Sequence, residues 1–229
     1  MACQLRAGTH IFEPKAGEHR WWEGDGSLLP VWPSVKPHPH LLLIPSVLNL
    51  AQCQLLIDCF ERNREQNAAR SDNDYWDGRF IWSNGLPRTE VGALRLMQQL
   101  RFFSTLKLIE RYQPKRPLFS DTAQLVRWHP GLELVPHADN IHPEGTPNAT
   151  AHRDYSSILY LNDDYQGGET YFPGHRLKVK PEPGTLVLFG AGCDYVHGVT
   201  PIKSGMRYTY AGWFTHDPAW EDREAKVIF

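Results

Sequence analysis

The chain reads as a mainly β protein, a jelly-roll core supported by two long helices, and three features of the sequence predict this. After Pro117 the texture changes to about eight short β-type runs separated by Gly, Pro, Asn and Asp, a pattern that favours a closed or double-sheet β structure. Before Pro117 lie two stretches with helical apolar spacing. Of the 229 residues, 41% are apolar and 12% aromatic, enough to bury a real core. The expected organisation is a single domain over 1–229, with N-terminal strands, loops and supporting helices over 1–117, the β core over 118–218 and a C-terminal extension over 219–229.

Taken in order, residues 1–37 are rich in Gly, Pro and Trp, and Trp21-Trp22 and Val31-Trp32 predict short strands or docking loops. His38 and His40 flank Pro39 with no acid nearby and read as surface loop residues. A short strand is expected from His40 to Ile44, and Ser46 is the expected N-cap of a helix through about Arg62. Its inner stripe is Leu48, Ala51, Leu55, Ile57 and Phe60, with Cys53 and Cys59 as packing residues. Residues 71–88 are polar, Gly-containing and aromatic without period, a long loop in which Tyr75, Trp76, Arg79 and Trp82 form a candidate lid or substrate wall. A second helix follows from about Thr89 to Tyr112, with Val91, Leu94, Leu96, Met97, Leu100, Phe103, Leu106 and Ile109 on its buried face. The expected strands are then Ala123–His129, Leu132–His137, Ser156–Asn162, Glu169–Phe172, Leu177–Lys180, Thr185–Phe189, Val196–Pro201 and Arg207–Thr215.

A formal net charge of -2 and a pI near 6.6 give no electrostatic footprint for nucleic acid or anionic lipid. No apolar run reaches the ~20 residues of a membrane span, and the start, Met1-Ala2-Cys3-Gln4-Leu5-Arg6, lacks a signal peptide's hydrophobic region. A cytoplasmic location, with no nucleic-acid or membrane partner, is the expectation. Cys3, Cys53, Cys59 and Cys193 show no CxxC spacing and are expected as reduced, mostly packed thiols.

The chemistry concentrates between Leu125 and Pro218, around His137-Ala138-Asp139, answered sixty residues later by His197 and ten after that by Arg207. Two imidazoles and one carboxylate on one face of a metal are the donor set of a mononuclear non-haem Fe(II) oxygenase, which keeps the opposite positions open. The i, i+2 spacing puts His137 and Asp139 on one side of an extended strand end, and a distant strand must bring His197 across. Arg207 is the candidate anchor, since a planar guanidinium grips the far carboxylate of a keto-diacid such as 2-oxoglutarate with two parallel hydrogen bonds.

The residues over about 120–218 resemble the Fe(II)/2-oxoglutarate-dependent dioxygenases, within them the prolyl hydroxylase branch, and especially the catalytic domain of prolyl 3-hydroxylases (leprecans). The resemblance is carried by His137-Ala138-Asp139-Asn140, Arg153-Asp154-Tyr155-Ser156, Tyr160-Leu161-Asn162-Asp163-Asp164, Gly167-Gly168-Glu169, His197-Gly198-Val199 and Trp213-Phe214-Thr215-His216-Asp217-Pro218. It implies a double-stranded β-helix core, with His137, Asp139 and His197 as iron ligands and Arg207 as the salt-bridge partner of 2-oxoglutarate. Tyr160 matches a tyrosine that hydrogen-bonds the same carboxylate in the related HIF-type hydroxylases, and Arg153 falls where that group has an arginine near the substrate. His129-Pro130-Gly131 stands where those relatives commonly carry Tyr-Pro-Gly, so His129 is either a pocket residue for 2-oxoglutarate or only a strand residue. Asn140, Trp82 and Tyr75 complete the candidate substrate residues.

His152-Arg153-Asp154 is a second HxD, but in the resembled pattern position 152 is not a ligand, and Asp154 is expected in a turn or structural ion pair. His142 and His175 sit in Pro/Gly loops and are expected in solvent, and Lys203 is a rival anchor to Arg207. The resemblance implies Fe(II), 2-oxoglutarate and O2 as cofactor and co-substrates, with ascorbate as an accessory, and hydroxylation of an aliphatic carbon with release of succinate and CO2. The retained Asp139 argues for hydroxylation over halogenation, because related halogenases lack this acid. A prolyl residue in a peptide or protein is the expected substrate, although without the long appended region of the animal enzymes collagen is not. A free amino acid such as proline, or another small metabolite, remains the alternative, and a non-catalytic metal-binding jelly roll is a third reading.

Overall fold

Two β-sheets face each other across a cavity, and two helices cover the outer side of the larger one. The structure, a computed structural model, describes residues 38–68, 75–180 and 182–223. The expected strands around Trp21-Trp22 and Val31-Trp32, Cys3, residues 71–74 and residues 224–229 lie outside these.

The chain begins with β1 (Leu42–Ile44), α1 (Leu50–Asn67), β2 (Phe80–Trp82), α2 (Val91–Tyr112) and β3 (Phe119–Ser120). It continues through β4 (Gln124–Trp128), β5 (Leu134–His137), β6 (Tyr155–Tyr160), β7 (Gln166–Gly167), β8 (Thr170–Phe172) and β9 (Leu177–Val179). It closes with β10 (Leu186–Gly190), β11 (His197–Val199), β12 (Ile202–Ser204) and β13 (Arg207–Thr215). The larger sheet has the order β1-β10-β6-β13-β4-β2 with β3 on β13, the smaller sheet the order β5-β11-β8-β9, and β7 pairs with β12 between them. The eight expected core strands are all present, four in each sheet, with ends shifted by a residue or two. This is a jelly roll of the double-stranded β-helix kind.

Alternation along the strands divides the larger sheet into two faces. On β13, Tyr210 and Phe214 join Leu125 of β4, Leu159 of β6 and Leu186 and Leu188 of β10 in the core under the helices. The intervening residues Arg207, Thr209, Ala211 and Trp213 line the cavity, as do Gln124, Val126 and Trp128 of β4. Two smaller clusters lie inside the jelly roll. One holds Leu41, Tyr160, Phe172, Val187 and Phe189, and the other Val126, Trp128, Val199 and Ile202.

The helices stand where the apolar spacing placed them, but their faces are rotated. Asn49, not Ser46, caps α1, in a reciprocal box with Gln52, and Ser46 has φ 55 in the turn before it. The buried stripe runs through Cys53, Leu56, Cys59, Phe60 and Asn63, while Leu55 turns outward. On α2, Ala93, Leu96, Met97, Leu100, Ser104 and Leu108 go inward, and Val91, Leu106 and Ile109 are exposed. Each helix covers the sheet with a narrow stripe, and both stretches carry more apolar residues than that stripe has places. Residues 80–82, expected within a loop, form an edge strand on β4. Cys53 and Cys59 are free and buried, whereas Cys193 is disulfide-bonded, against the expectation of a reduced thiol. No helix among the described residues is long and apolar enough to cross a membrane.

Candidate active site

His137 ends β5, Asp139 lies two residues on, and His197 opens β11. The two strands are antiparallel with His137 paired to His197, so the register sets the imidazoles side by side, their centroids 4.4 Å apart. The three residues offer ligand atoms that all lie within 4.8 Å of one another. Nδ1 of His137 is 3.1 Å from the Val135 carbonyl and Nδ1 of His197 is 3.0 Å from the Tyr195 carbonyl. With both Nδ1–H groups donating backward, both Nε2 lone pairs are left for a metal. The Asp139 backbone is held too: its N–H donates to Ala191 O, and its carbonyl accepts from Asn148 and Thr150.

Burial raises the Asp139 carboxyl, but the two histidines outweigh it and hold the group well below its usual range. Burial also resists protonation of His137, yet the adjacent Asp139 raises its pKa overall. His197, buried and facing His137, is pushed down to about 4.

Arg207, at the start of β13, sits deep in the same cavity at 1% exposure. One of its terminal nitrogens donates to Thr170 Oγ1 at 3.1 Å, and Tyr160 Oη donates to the same oxygen at 2.6 Å. Arg207 Nε is buried with no hydrogen-bond partner among the described residues. A buried guanidinium with an unanswered donor costs about 3 kcal/mol unless an anion completes it. The cavity that joins Arg207 to the triad measures about 470 Å³. Its other walls include Trp76, Phe80, Trp82, Trp128 and Trp213. Two imidazole nitrogens and one carboxylate suit Fe(II), and a buried, incompletely paired guanidinium suits a keto-diacid, so these residues fit both groups.

Residues 123–215 match the 2OG-Fe(II) oxygenase superfamily. Rat (Rattus norvegicus) prolyl 3-hydroxylase 2 is 39% identical over 100 residues, covering 38% of this chain but only 14% of that relative. A viral collagen prolyl hydroxylase from Paramecium Bursaria Chlorella virus-1, solved with 2OG, superposes with a TM-score of 0.59 at 20% identity over 77% of this chain and 95% of its own. A Trichoplax adhaerens prolyl hydroxylase, solved with a hypoxia inducible factor peptide fragment, superposes with a TM-score of 0.58 at 16% identity over 83% and 88% of the two chains. At those identities the two structures establish the fold alone.

The cavity gathers some of the expected residues and leaves others out. Arg153 lines it, with its guanidinium 3.7 Å from the Trp213 ring centroid and its Nε 3.4 Å from Asp121. Trp82 lines it as well. Tyr160 contributes through Thr170, beside Arg207. Burial lifts its phenol to about 12, so it serves as a neutral donor. His129 is a correction: it is exposed, with Nδ1 against the Pro130 carbonyl. The reason is parity, because Gln124, Val126 and Trp128 take the inward places on β4 and the next residue points away. Asn140 also lies off the cavity and instead donates to the Arg153 carbonyl at 2.7 Å, while Asn148 and Thr150 from the same loop reach the cavity wall. Tyr75 stands behind the wall rather than in it. Its hydroxyl bonds the Glu133 carbonyl, and its ring, with Trp76 and Trp128, encloses Arg79 at 4.2 to 4.7 Å.

The decoys are structural. His152 Nε2 lies 3.0 Å from Asp121 and its ring stacks on Trp220 at 3.8 Å, far from ligand duty. Asp154 accepts from the His216 backbone at 2.7 Å, His142 is exposed, and Lys203 is exposed on β12 while Arg207 holds the interior. His175 departs from expectation. It is half-buried against His38, His40 and Tyr195, with Nε2 unpartnered among the described residues. Sequence reasoning gave no role to Trp128, Thr170, Ser156 or Trp213. The inward parity of Trp128 and Trp213 was the available signal, since Trp128 is in phase with Val126 on β4 and Trp213 with Ala211 on β13.

Proposed function

We propose that this chain is an Fe(II)- and 2-oxoglutarate-dependent hydroxylase acting on a prolyl residue of a peptide or protein, releasing succinate and CO2. The observation that carries the reading is the shared cavity: a two-histidine, one-carboxylate cluster at one end and the buried, incompletely paired Arg207 at the other. A metal bound there with 2-oxoglutarate would activate O2, the oxidant, one oxygen atom of which goes into succinate as 2-oxoglutarate loses CO2 and the other into a substrate C–H bond as hydroxyl.

The chain's own residues have separable jobs. His137, Asp139 and His197, which all line the cavity, would hold the metal. Arg207, steadied by Thr170 and Tyr160, holds the far carboxylate and so sets how deep the co-substrate lies. Trp76, Phe80, Trp82, Trp128 and Trp213 form an aromatic wall that excludes water and presents ring faces to an apolar pyrrolidine. Arg153, in the cavity wall beside Trp213, offers donors to a peptide carbonyl or acidic group.

Support for a peptide comes from the relatives. The rat protein is named a prolyl 3-hydroxylase and the Trichoplax protein was solved with a peptide. The test is O2-dependent succinate release by the Fe(II)-loaded chain, comparing proline-containing peptides with free proline and other amino acids. Stimulation by peptides is expected. Stimulation by a free amino acid alone would overturn the peptide assignment, and turnover that survives His137→Ala but not His152→Ala would overturn the ligand assignment.

A further inference from the structure

Asp139 has two carboxylate oxygens with different surroundings. Oδ1 faces the histidines, 3.6 Å from His137 Nε2. Oδ2 faces the larger sheet, where it accepts from Ser156 Oγ at 2.5 Å and from Trp213 Nε1 at 3.3 Å. Ser156 and Trp213 are direct cross-strand partners on β6 and β13. Their side chains therefore rise from the same face of the sheet at one point, and two donors converge on one oxygen. Ser156 is 2% exposed and Trp213 9%. The indole is itself fixed, by the Arg153 guanidinium 3.7 Å from its centroid and by Trp82 at 6.1 Å.

We infer that Ser156 and Trp213 are positioning residues that occupy Asp139 Oδ2, so that the carboxylate meets the metal through Oδ1 alone. The inference rests on the oxygenase reading above and adds a requirement to it. A carboxylate free to turn can chelate with both oxygens, and a chelating Asp139 would take a coordination position that a two-point co-substrate and O2 need. Oδ2 accepts two hydrogen bonds, from Ser156 Oγ and Trp213 Nε1, and bonds to an ionised carboxylate are the strong kind. Removing them releases the rotation without removing a ligand. The expected signature is retention of metal with loss of co-substrate affinity, which a loosened fold would not produce.

The experiment uses the full chain with Co(II) as the metal probe, comparing Ser156→Ala, Trp213→Phe and the double variant. Co(II) affinity and the visible bands are read by titration, 2-oxoglutarate affinity of the Co(II) protein by calorimetry, and fold integrity by melting temperature. The double variant is expected to keep Co(II) affinity within roughly threefold, change its Co(II) band intensity as the coordination number rises, and bind 2-oxoglutarate roughly tenfold more weakly or worse. Ser156→Thr, which keeps the hydroxyl, should restore the unsubstituted values. Unchanged 2-oxoglutarate affinity in the double variant, against an unsubstituted protein that binds, would overturn the clamp alone. So would a parallel fall in melting temperature, Co(II) affinity and 2-oxoglutarate affinity that threonine does not rescue. Failure of the unsubstituted Co(II) protein to bind 2-oxoglutarate would overturn the oxygenase reading itself, and the clamp with it.

Discussion

His137 and His197 are register partners across β5 and β11, so the distance between two imidazoles sixty residues apart in sequence is set by a backbone pairing. Both rings are oriented by the same device, a carbonyl two residues upstream at Nδ1. Replacing either histidine by alanine is therefore expected to abolish Co(II) or Fe(II) binding at micromolar metal while the melting temperature of the metal-free protein changes little. His152→Ala should do the reverse, leaving metal affinity intact and costing about 1–2 kcal/mol through the lost Asp121 bond and Trp220 stacking. Metal titration beside thermal melting checks both.

Arg207 is expected to dominate co-substrate affinity. Arg207→Gln removes the charge opposite the far carboxylate and should weaken 2-oxoglutarate binding by about 3 kcal/mol, a factor on the order of a hundred. Arg207→Lys keeps the charge but not the fork, and should recover only part. Calorimetry on the metal-loaded protein distinguishes them, and equal affinity in all three would remove Arg207 from the site.

Gly198 tests how tightly β11 is held. A Cβ there would lie 2.6 Å from the Leu134 carbonyl and 2.6 Å from the Tyr171 ring. Neither can move freely, since Leu134 is on β5, partnered with β11, and Tyr171 is buried at 1% exposure. Gly198→Ala should cost about 1–3 kcal/mol, and the displaced strand should weaken metal binding through His197. A melting curve with and without Co(II) reads the two effects separately.

His175 gives a pH dependence away from the metal. Burial, and then His38 and His40 beside it, push its imidazole down to about 4. The unfolded chain takes up a proton near the ordinary value of about 6.5 and the folded chain does not until lower pH, so the unfolded state binds more protons between them. Stability should therefore fall as pH drops from about 6.5 to about 4, by about 2 kcal/mol after allowing for partial exposure. The decline should be shallower in His175→Asn, as followed by urea unfolding across that range.

Much of this fold was legible because alternating strands between Gly, Pro and Asn punctuation are a local signal, and all eight core strands appear where such runs occur. The helices were legible in extent but not in face. Leu55, Leu106 and Ile109 fit an apolar stripe on paper, yet Cys53, Cys59 and Ala93 are what the sheet accepts. The second HxD could be set aside by resemblance, but what His152 does instead, bonding Asp121 and stacking on Trp220, depends on contacts across tens of residues.

The sequence by itself determined the donor set: His137, Asp139, His197 and Arg207 are the residue types this chemistry needs, at spacings a strand end and a distant strand can satisfy. Only the tertiary structure decided which side chains share their cavity. Parity on β4 put Trp128 inside and turned His129 out, although they are adjacent in sequence. Cross-strand register placed Ser156 and Trp213 together on Asp139 Oδ2, and the facing of two sheets brought Thr170 to Arg207. Residue type is local, whereas which atoms converge is fixed by strand pairing and by how the two sheets face each other.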